Sequence, residues 1–228
     1  MQGQERLRAA RALVVGAGGL GCPAALYLAA SGVGSLTIAD PDKVDLTNLQ
    51  RQILYRTDTV GVPKVEAARA ALAALNPEVQ IIPLQKKLLE EDLNPLIAEA
   101  SVVLDCSDNF ATRHALNRAC VARRKPLVSG AAIRFDAQVS VFDLRSRDAP
   151  CYACLYPESG EVEEVQCSQL GVFAPLTGVV GAMQAMEAVK LLAGAGETLA
   201  GRLVLLDAKR AEWRAVRVRK DPGCRVCG

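Results

Sequence analysis

The segment Arg11–Asp40, RALVVGAGGLGCPAALYLAASGVGSLTIAD, constrains the fold of this chain more than any other stretch. Ala12–Val15 is a short apolar run that reads as a buried strand, and Gly16, Gly18 and Gly21 follow in G-x-G-x-x-G spacing. Cys22–Ala30 reads as a helix halted by Gly32 and Gly34, and Ser35–Ala39 as a second strand ending on Asp40. In such a unit the glycines permit a tight turn and a close approach of backbone to phosphate. The helix N-terminus supplies free N–H groups, and an acid about 20 residues on accepts the ribose hydroxyls. Asp40 stands where that acid belongs. The unit predicts a nucleotide site but does not choose the nucleotide. A dinucleotide is the commoner user, and a glycine turn without ligand has the same spacing.

Strand and helix patterns alternate through the first 130 residues. A helix opens at Pro63, well placed for a first turn, and runs to about Leu75. Strand Val79–Leu84, helix Leu89–Ala100, strand Ser101–Asp105, helix Phe110–Arg124 and strand Pro126–Ser129 follow. This alternation predicts a parallel sheet with crossover helices. From Ile133 the pattern changes. Ala137–Leu144 alternates apolar and polar, as an antiparallel strand with one wet face does, and Arg202–Ala208 with Glu212–Val218 reads as a hairpin. The expected fold is α/β: a Rossmann-like, mostly parallel sheet extended by antiparallel strands, one domain over residues 1–228, with 1–134 as its nucleotide-binding half. The long irregular segment about Leu155–Ala174 reads as functional or mobile.

A net charge of +2 points to neither nucleic acid nor an acidic membrane surface. The start, MQGQERLRAARALVV, shows no signal peptide. The most apolar helix, Pro175–Gly194, is interrupted by Thr177, Gln184, Glu187 and Lys190, so it reads as a core or interface helix rather than a membrane span. Eight cysteines without a leader argue for a reducing, cytoplasmic setting and for metal or catalytic use. The single histidine, His114, reads as structural and removes most histidine-based mechanisms.

Chemistry-bearing residues cluster after the strand ends. Asn48, Arg51, Gln52 and Lys64 follow Asp40. Two cations and a carboxamide suit a triphosphate better than a nicotinamide, because arginine forks onto phosphate oxygens and lysine acts as a point charge. A solvated loop with surface charges is the plain alternative. Asp105-Cys106-Ser107-Asp108-Asn109 ends a later strand over the same crevice. Asp108 suits Mg²⁺ that bridges phosphates, while Asp108 or Asn109 also stands where the next helix needs a cap. Cys151-Tyr-Ala-Cys154 and Cys224-Arg-Val-Cys227 are two C-x-x-C pairs, the spacing of a closed, tetrahedral Zn²⁺ site; a redox dithiol and two unrelated pairs are the alternatives. Cys22, Cys106 and Cys120 read as small core residues. Cys167 lies in the irregular segment, where a thiol can reach an activated substrate.

Taken in order, these motifs resemble the MoeB/ThiF/HesA family, bacterial relatives of the ubiquitin-activating enzyme. The resemblance rests on GAGGLG at Gly16–Gly21, IADPDKVDLTNLQRQ at Ile38–Gln52, GVPKV at Gly61–Val65, DCSDN at Asp105–Asn109, VSGAAIR at Val128–Arg134, both cysteine pairs, and GVFAPLTGVVGAMQAMEAVKLLAG at Gly171–Gly194. It implies adenylation, with ATP and Mg²⁺, of the C-terminal Gly-Gly carboxylate of a ubiquitin-like sulfur carrier in molybdenum-cofactor or thiamine biosynthesis. It further implies an ATP site of Gly19, Asp40, Asn48, Arg51, Lys64, Asp108 and Asn109, Zn²⁺ on the four paired cysteines, and Cys167 as the residue that bonds to the activated carrier. A homodimer and a carrier-binding half at 135–228 are part of the same expectation.

Family members open on a segment of the type RYxRQ whose arginine reaches the partner subunit's ATP. The sequence starts Met1-Gln2-Gly3-Gln4 without it, which predicts weaker adenylation or a scaffold that uses ATP poorly. No rhodanese-like segment follows Gly228, which predicts a separate sulfur donor. An NAD-dependent oxidoreductase remains the alternative from another enzyme class; it leaves Arg51, Lys64 and the cysteine pairs without a role.

Overall fold

The computed structural model describes residues 2–158 and 171–228. In chain order the elements are α1 Gln2–Ala9, β1 Arg11–Val15, α2 Gly21–Ala30, β2 Ser35–Ala39, α3 Lys64–Leu75, β3 Gln80–Leu84, α4 Glu90–Glu99, β4 Val102–Asp105, α5 Phe110–Arg123, β5 Leu127–Ile133, β6 Asp136–Phe142, α6 Tyr152–Leu155, α7 Ala174–Ala193, β7 Arg202–Asp207 and β8 Glu212–Arg217. They form one eight-stranded sheet in the order β3-β2-β1-β4-β5-β6-β7-β8. The first five strands in that order are parallel, and β6, β7 and β8 add on antiparallel. This is the expected Rossmann-like sheet with its antiparallel extension.

Both faces of the central parallel strands are covered, so β1 beyond Arg11 and β4 before Asp105 are apolar throughout. Ala12 and Val14 of β1 pack with α2, α3 and α7, while Leu13 and Val15 pack with α4, α5 and α6. From β1 the chain moves outward to β2 and β3, then crosses back to β4 on the other side of β1. Ligands of such sheets bind beyond the strand carboxyl ends at this switch point. Among the described residues α7 alone is long and apolar enough to cross a membrane, yet it buries Gln184 and Glu187 and packs on α2 and β5, which makes it a core helix, as expected.

Three features depart from the sequence reading. Strand β5 does not stop at Ser129 but runs to Ile133, through Gly130-Ala131-Ala132. Those small residues are strand residues because the Gln184 side chain occupies the space beside them: a Cβ on Gly130 would lie 2.5 Å from it. A two-residue turn, Arg134-Phe135, with Arg134 at φ 50°, then leads into β6. β6 is drier than its alternation predicts: Asp136 is exposed and Gln138 half-buried, but Ser140 on the same face is buried and donates to the carbonyl of Arg202, while the fully exposed strand is β8. The polar start of the chain is a helix, α1, held by its one buried residue Leu7 and by side-chain bonds from Gln4 to the Ser31 carbonyl and from Arg6 to the Ala193 carbonyl.

Candidate nucleotide site and cysteine cluster

A cleft of about 560 Å³ opens at the switch point between β1 and β4. Its floor is the turn that links β1 to α2. Gly16 sits at φ +96°, and a Cβ there would lie 2.5 Å from the Cys106 carbonyl oxygen, so no other residue fits. Gly18 is different: only the Gln52 amide lies near, at 3.7 Å, and the absence of a side chain leaves the backbone open to the cleft. Gly19 also lines the cleft and packs against Thr177. Gly21 does not line it. It begins α2, and its lack of a side chain serves packing on the Gly16 carbonyl.

Asp40, directly after β2, is the most constrained group in the cleft. Its Oδ2 accepts from the Ala17 N–H at 2.7 Å and its Oδ1 from the Asp42 N–H at 2.9 Å. Lys64, buried at the start of α3, places its Nζ 3.9 Å from Asp40 and 2.9 Å from Asp42. Burial pushes the Asp40 carboxyl above its ordinary range, and Lys64 with the two N–H groups pulls it back. Arg51 donates to the Asn48 side chain at 2.8 Å, which fixes both at the cleft wall. Gln52 is buried, and its Oε1 has no partner among the described residues.

The opposite wall is the loop after β4. Asp105 is fully buried; its carboxylate accepts from the backbone N–H and hydroxyl of Ser107 and from the hydroxyl of Ser129. Asp108 is exposed and lines the cleft. The helix cap is Asn109, whose side chain accepts from the Thr112 N–H at 2.9 Å, so the capping role belongs to Asn109 and leaves Asp108 facing the cleft.

The residues expected at a nucleotide site, from Gly16, Gly18 and Gly19 through Asp40, Asn48, Arg51, Gln52 and Lys64 to Asp108 and Asn109, therefore line one cleft. Lys86, Lys87 and Arg113 line it too and were not picked out from sequence. Arg113 carried no motif signal: it lies inside a helix and reaches back to the Ser107 carbonyl at 3.0 Å. Tyr55 was also missed; its buried hydroxyl donates to the Ala17 carbonyl at 2.7 Å and pins the glycine turn.

The four paired cysteines meet beside α5. Sγ separations are 3.9 Å for Cys151–Cys154, 3.7 Å for Cys151–Cys224 and 3.5 Å for Cys154–Cys227, and all four lie within 4.8 Å of one another. Sulfurs at about 2.3 Å from a tetrahedral centre would be about 3.8 Å apart, whereas a disulfide needs about 2 Å. Asn117, wholly buried on α5, donates to Cys151 Sγ and accepts from the Tyr152 N–H. Cys22, Cys106 and Cys120 are buried, as expected, and burial pushes the Cys22 thiol up to about 12, out of reach of ionisation at neutral pH. His114 stacks on Phe110 and meets Tyr152 edge-on, outside the cleft; burial lowers its pKa. Cys167 lies outside the described residues.

Residues 1–226 match the ThiF family. The chain belongs to that family. Curated ThiF-family relatives include the molybdopterin-synthase adenylyltransferase of Escherichia coli, 50% identical over 99% of this chain and 90% of its own length. The sulfur carrier protein ThiS adenylyltransferase of the same organism is 46% identical over the whole chain and 90% of its length. The sulfur carrier protein adenylyltransferase of Thermus thermophilus is also 46% identical, over the whole chain and 85% of its length. Among solved structures, Escherichia coli MccB with ATP superposes with a TM-score of 0.88 at 24% identity over the whole chain and 69% of MccB, a likeness of fold.

Proposed function

We propose that this protein uses MgATP to adenylate the C-terminal Gly-Gly carboxylate of a ubiquitin-like sulfur-carrier protein, with release of pyrophosphate, in molybdenum-cofactor or thiamine biosynthesis. The observation that carries the proposal is the single cleft in which Gly18, Asp40, Arg51, Lys64 and Asp108 converge, in a chain half identical to a molybdopterin-synthase adenylyltransferase.

The residues fit the groups this chemistry needs. Asp40 is poised to accept ribose hydroxyls, and the open backbone at Gly18 suits a phosphate. The buried Oε1 of Gln52, which has no partner among the described residues, suits a donor from a ligand. The exposed Asp108 carboxylate suits Mg²⁺, which when bound neutralises phosphate charge. Cys151, Cys154, Cys224 and Cys227 have the donor set and the spacing of a closed Zn²⁺ site, with no open position for chemistry.

A carrier's C-terminal carboxylate is already ionised at neutral pH and needs no general base, which suits a chain whose one histidine does not line the cleft. The carboxylate attacks the α-phosphorus and pyrophosphate leaves, giving an acyl-adenylate. Arg51 and Lys64 steady the charge that builds on the phosphate oxygens, and the glycine turn holds the phosphate in line. In this reading residues 1–134 bind the nucleotide, 135–228 bind the carrier, the chain acts as a cytoplasmic homodimer, and the Cys167 thiolate bonds to the carbonyl carbon of the activated carrier as the acyl–phosphate bond breaks and AMP leaves.

Intact-mass spectrometry tests the proposal. Carrier incubated with the protein and MgATP gains one AMP at its C-terminus, and a carrier shortened by its last glycine gains none. Failure of every Gly-Gly carrier of the source organism to gain AMP would overturn it.

A further inference from the structure

Helix α7 belongs to the second half of the chain, yet it touches both the floor of the nucleotide cleft and the wall after β4. Near its start Thr177 packs on Gly19 of the glycine turn. Two turns further along, Gln184 reaches the end of β4. Gln184 is fully buried. Its Nε2 donates to the carbonyl of Asp105 at 2.7 Å and to the carbonyl of Val128 at 3.2 Å, and its Oε1 lies 3.5 Å from the Cys106 thiol, which donates to it.

These partners lie where two strands part. β4 and β5 pair in register only as far as Asp105 and Ser129. Beyond that point β4 turns into the loop that carries Asp108 and the Asn109 cap, while β5 continues to Ile133. A carbonyl oxygen has two lone pairs, and at the last pairs of this ladder the carbonyls of Asp105 and Val128 each accept a further bond from α7. The carboxamide of Gln184 supplies both donors from one nitrogen, and Gly130 is glycine because this side chain fills the gap.

We propose that Gln184 is a positioning residue for adenylation: by tying the Asp105 carbonyl and the Cys106 thiol to α7, it holds the 105–109 loop at the height that presents Asp108 to the nucleotide phosphates. Gln184 does not line the cleft and acts through that loop. The identity of the ligand rests on the adenylation reading; the positioning itself does not.

The test compares the full chain with Gln184→Met and Gln184→Glu. Methionine removes both donors at nearly the same volume, and glutamate turns the donor into an oxygen that faces two carbonyl oxygens. Hydrogen–deuterium exchange of the ligand-free proteins is expected to quicken about tenfold at residues 106–109 while β1 and β2 stay protected. Calorimetry is expected to show MgATP bound about tenfold more weakly and adenosine, which depends on Asp40, bound within about twofold of the parent. Unchanged exchange at 106–109, exchange that quickens uniformly across the sheet, or equal losses for MgATP and adenosine would overturn the inference. So would failure of both variants to fold, which would make Gln184 a folding residue. A parent protein that binds no MgATP would refute the adenylation reading, and the deuterium comparison would still decide the role of Gln184.

Discussion

Replacing Lys64 with methionine isolates the charge balance at the ribose acid. Lys64 Nζ is 3.9 Å from Asp40 and both side chains are buried, whereas its nearer partner Asp42 is 64% exposed. Two unit charges about 4 Å apart attract by about 4 kcal/mol at the effective dielectric of protein sites. The exposed Asp42 pair adds less than about 1 kcal/mol. Breaking one side of a buried pair costs about 3–5 kcal/mol, and the two N–H bonds that Asp40 keeps place Lys64→Met near the lower end, about 3 kcal/mol. For a chain of this size that is a fall in Tm of about 6–12 °C. The sign of the pH dependence follows from Asp40. Its carboxyl is already pushed up by burial, and loss of Lys64 pushes it further. A carboxyl raised in the folded state binds its proton more tightly there than in the unfolded chain, so acid favours the fold as pH falls from the raised value toward the ordinary carboxylate range. Once Asp40 is protonated it no longer needs a cation. Thermal melts of parent and Lys64→Met at pH 8, 7, 6 and 5 are therefore expected to show a gap widest at pH 8 that narrows toward pH 5. A variant within about 2 °C of the parent at pH 8, or a gap that widens on acidification, would refute the assignment.

Other substitutions separate chemistry from fold. Arg51→Ala removes a half-buried cation that bonds to Asn48 in the cleft wall; it is expected to lower ATP–pyrophosphate exchange by more than about a hundredfold with Tm within about 2 °C of the parent, measured by exchange assay and melting. Cys151→Ser removes one of four clustered thiols and is expected to lower metal content, read by atomic emission, and to cost about 3 kcal/mol or more in denaturant unfolding, with ATP affinity little changed in the fraction that folds. Gly16→Ala places a Cβ 2.5 Å from the Cys106 carbonyl at a φ that disfavours side chains; soluble yield and ATP binding are both expected to be lost, whereas Gly18→Ala is expected to fold normally and lose nucleotide affinity alone.

The parallel part of the fold was legible because its central strands β1 and β4 are apolar runs buried on both faces, and because Gly32, Pro63, Asn76 and Asn109 mark helix ends. Gly16, Asp40 and Arg51 could be placed together from sequence because all follow the carboxyl ends of strands, and a parallel sheet brings those ends to one side. Small residues hid the end of β5: the strand reading stops at Ser129 before Gly130-Ala131-Ala132, and only the Gln184 side chain, more than fifty residues away, shows why a strand needs glycine there. Helix α1 was missed because its apolar content is a single buried leucine and its hold on the fold comes from tertiary bonds to Ser31 and Ala193. Arg113, Lys86 and Tyr55 were missed for the same reason: Arg113 and Lys86 reach the cleft, and Tyr55 reaches the Ala17 carbonyl, by fold-dependent routes with no local spacing to mark them. The cysteine pairs were legible because a tetrahedral site fixes ligand type and local spacing, and the fold brings the two pairs within reach.

Carrier-dependent ATP–pyrophosphate exchange tests the central claim most directly. With labelled pyrophosphate, MgATP and a sulfur carrier of the source organism, label is expected to enter ATP only when the carrier keeps its C-terminal Gly-Gly. It is expected to vanish with Arg51→Ala. No exchange with any such carrier while ATP still binds, or equal exchange with a carrier lacking its last glycine, would contradict the account.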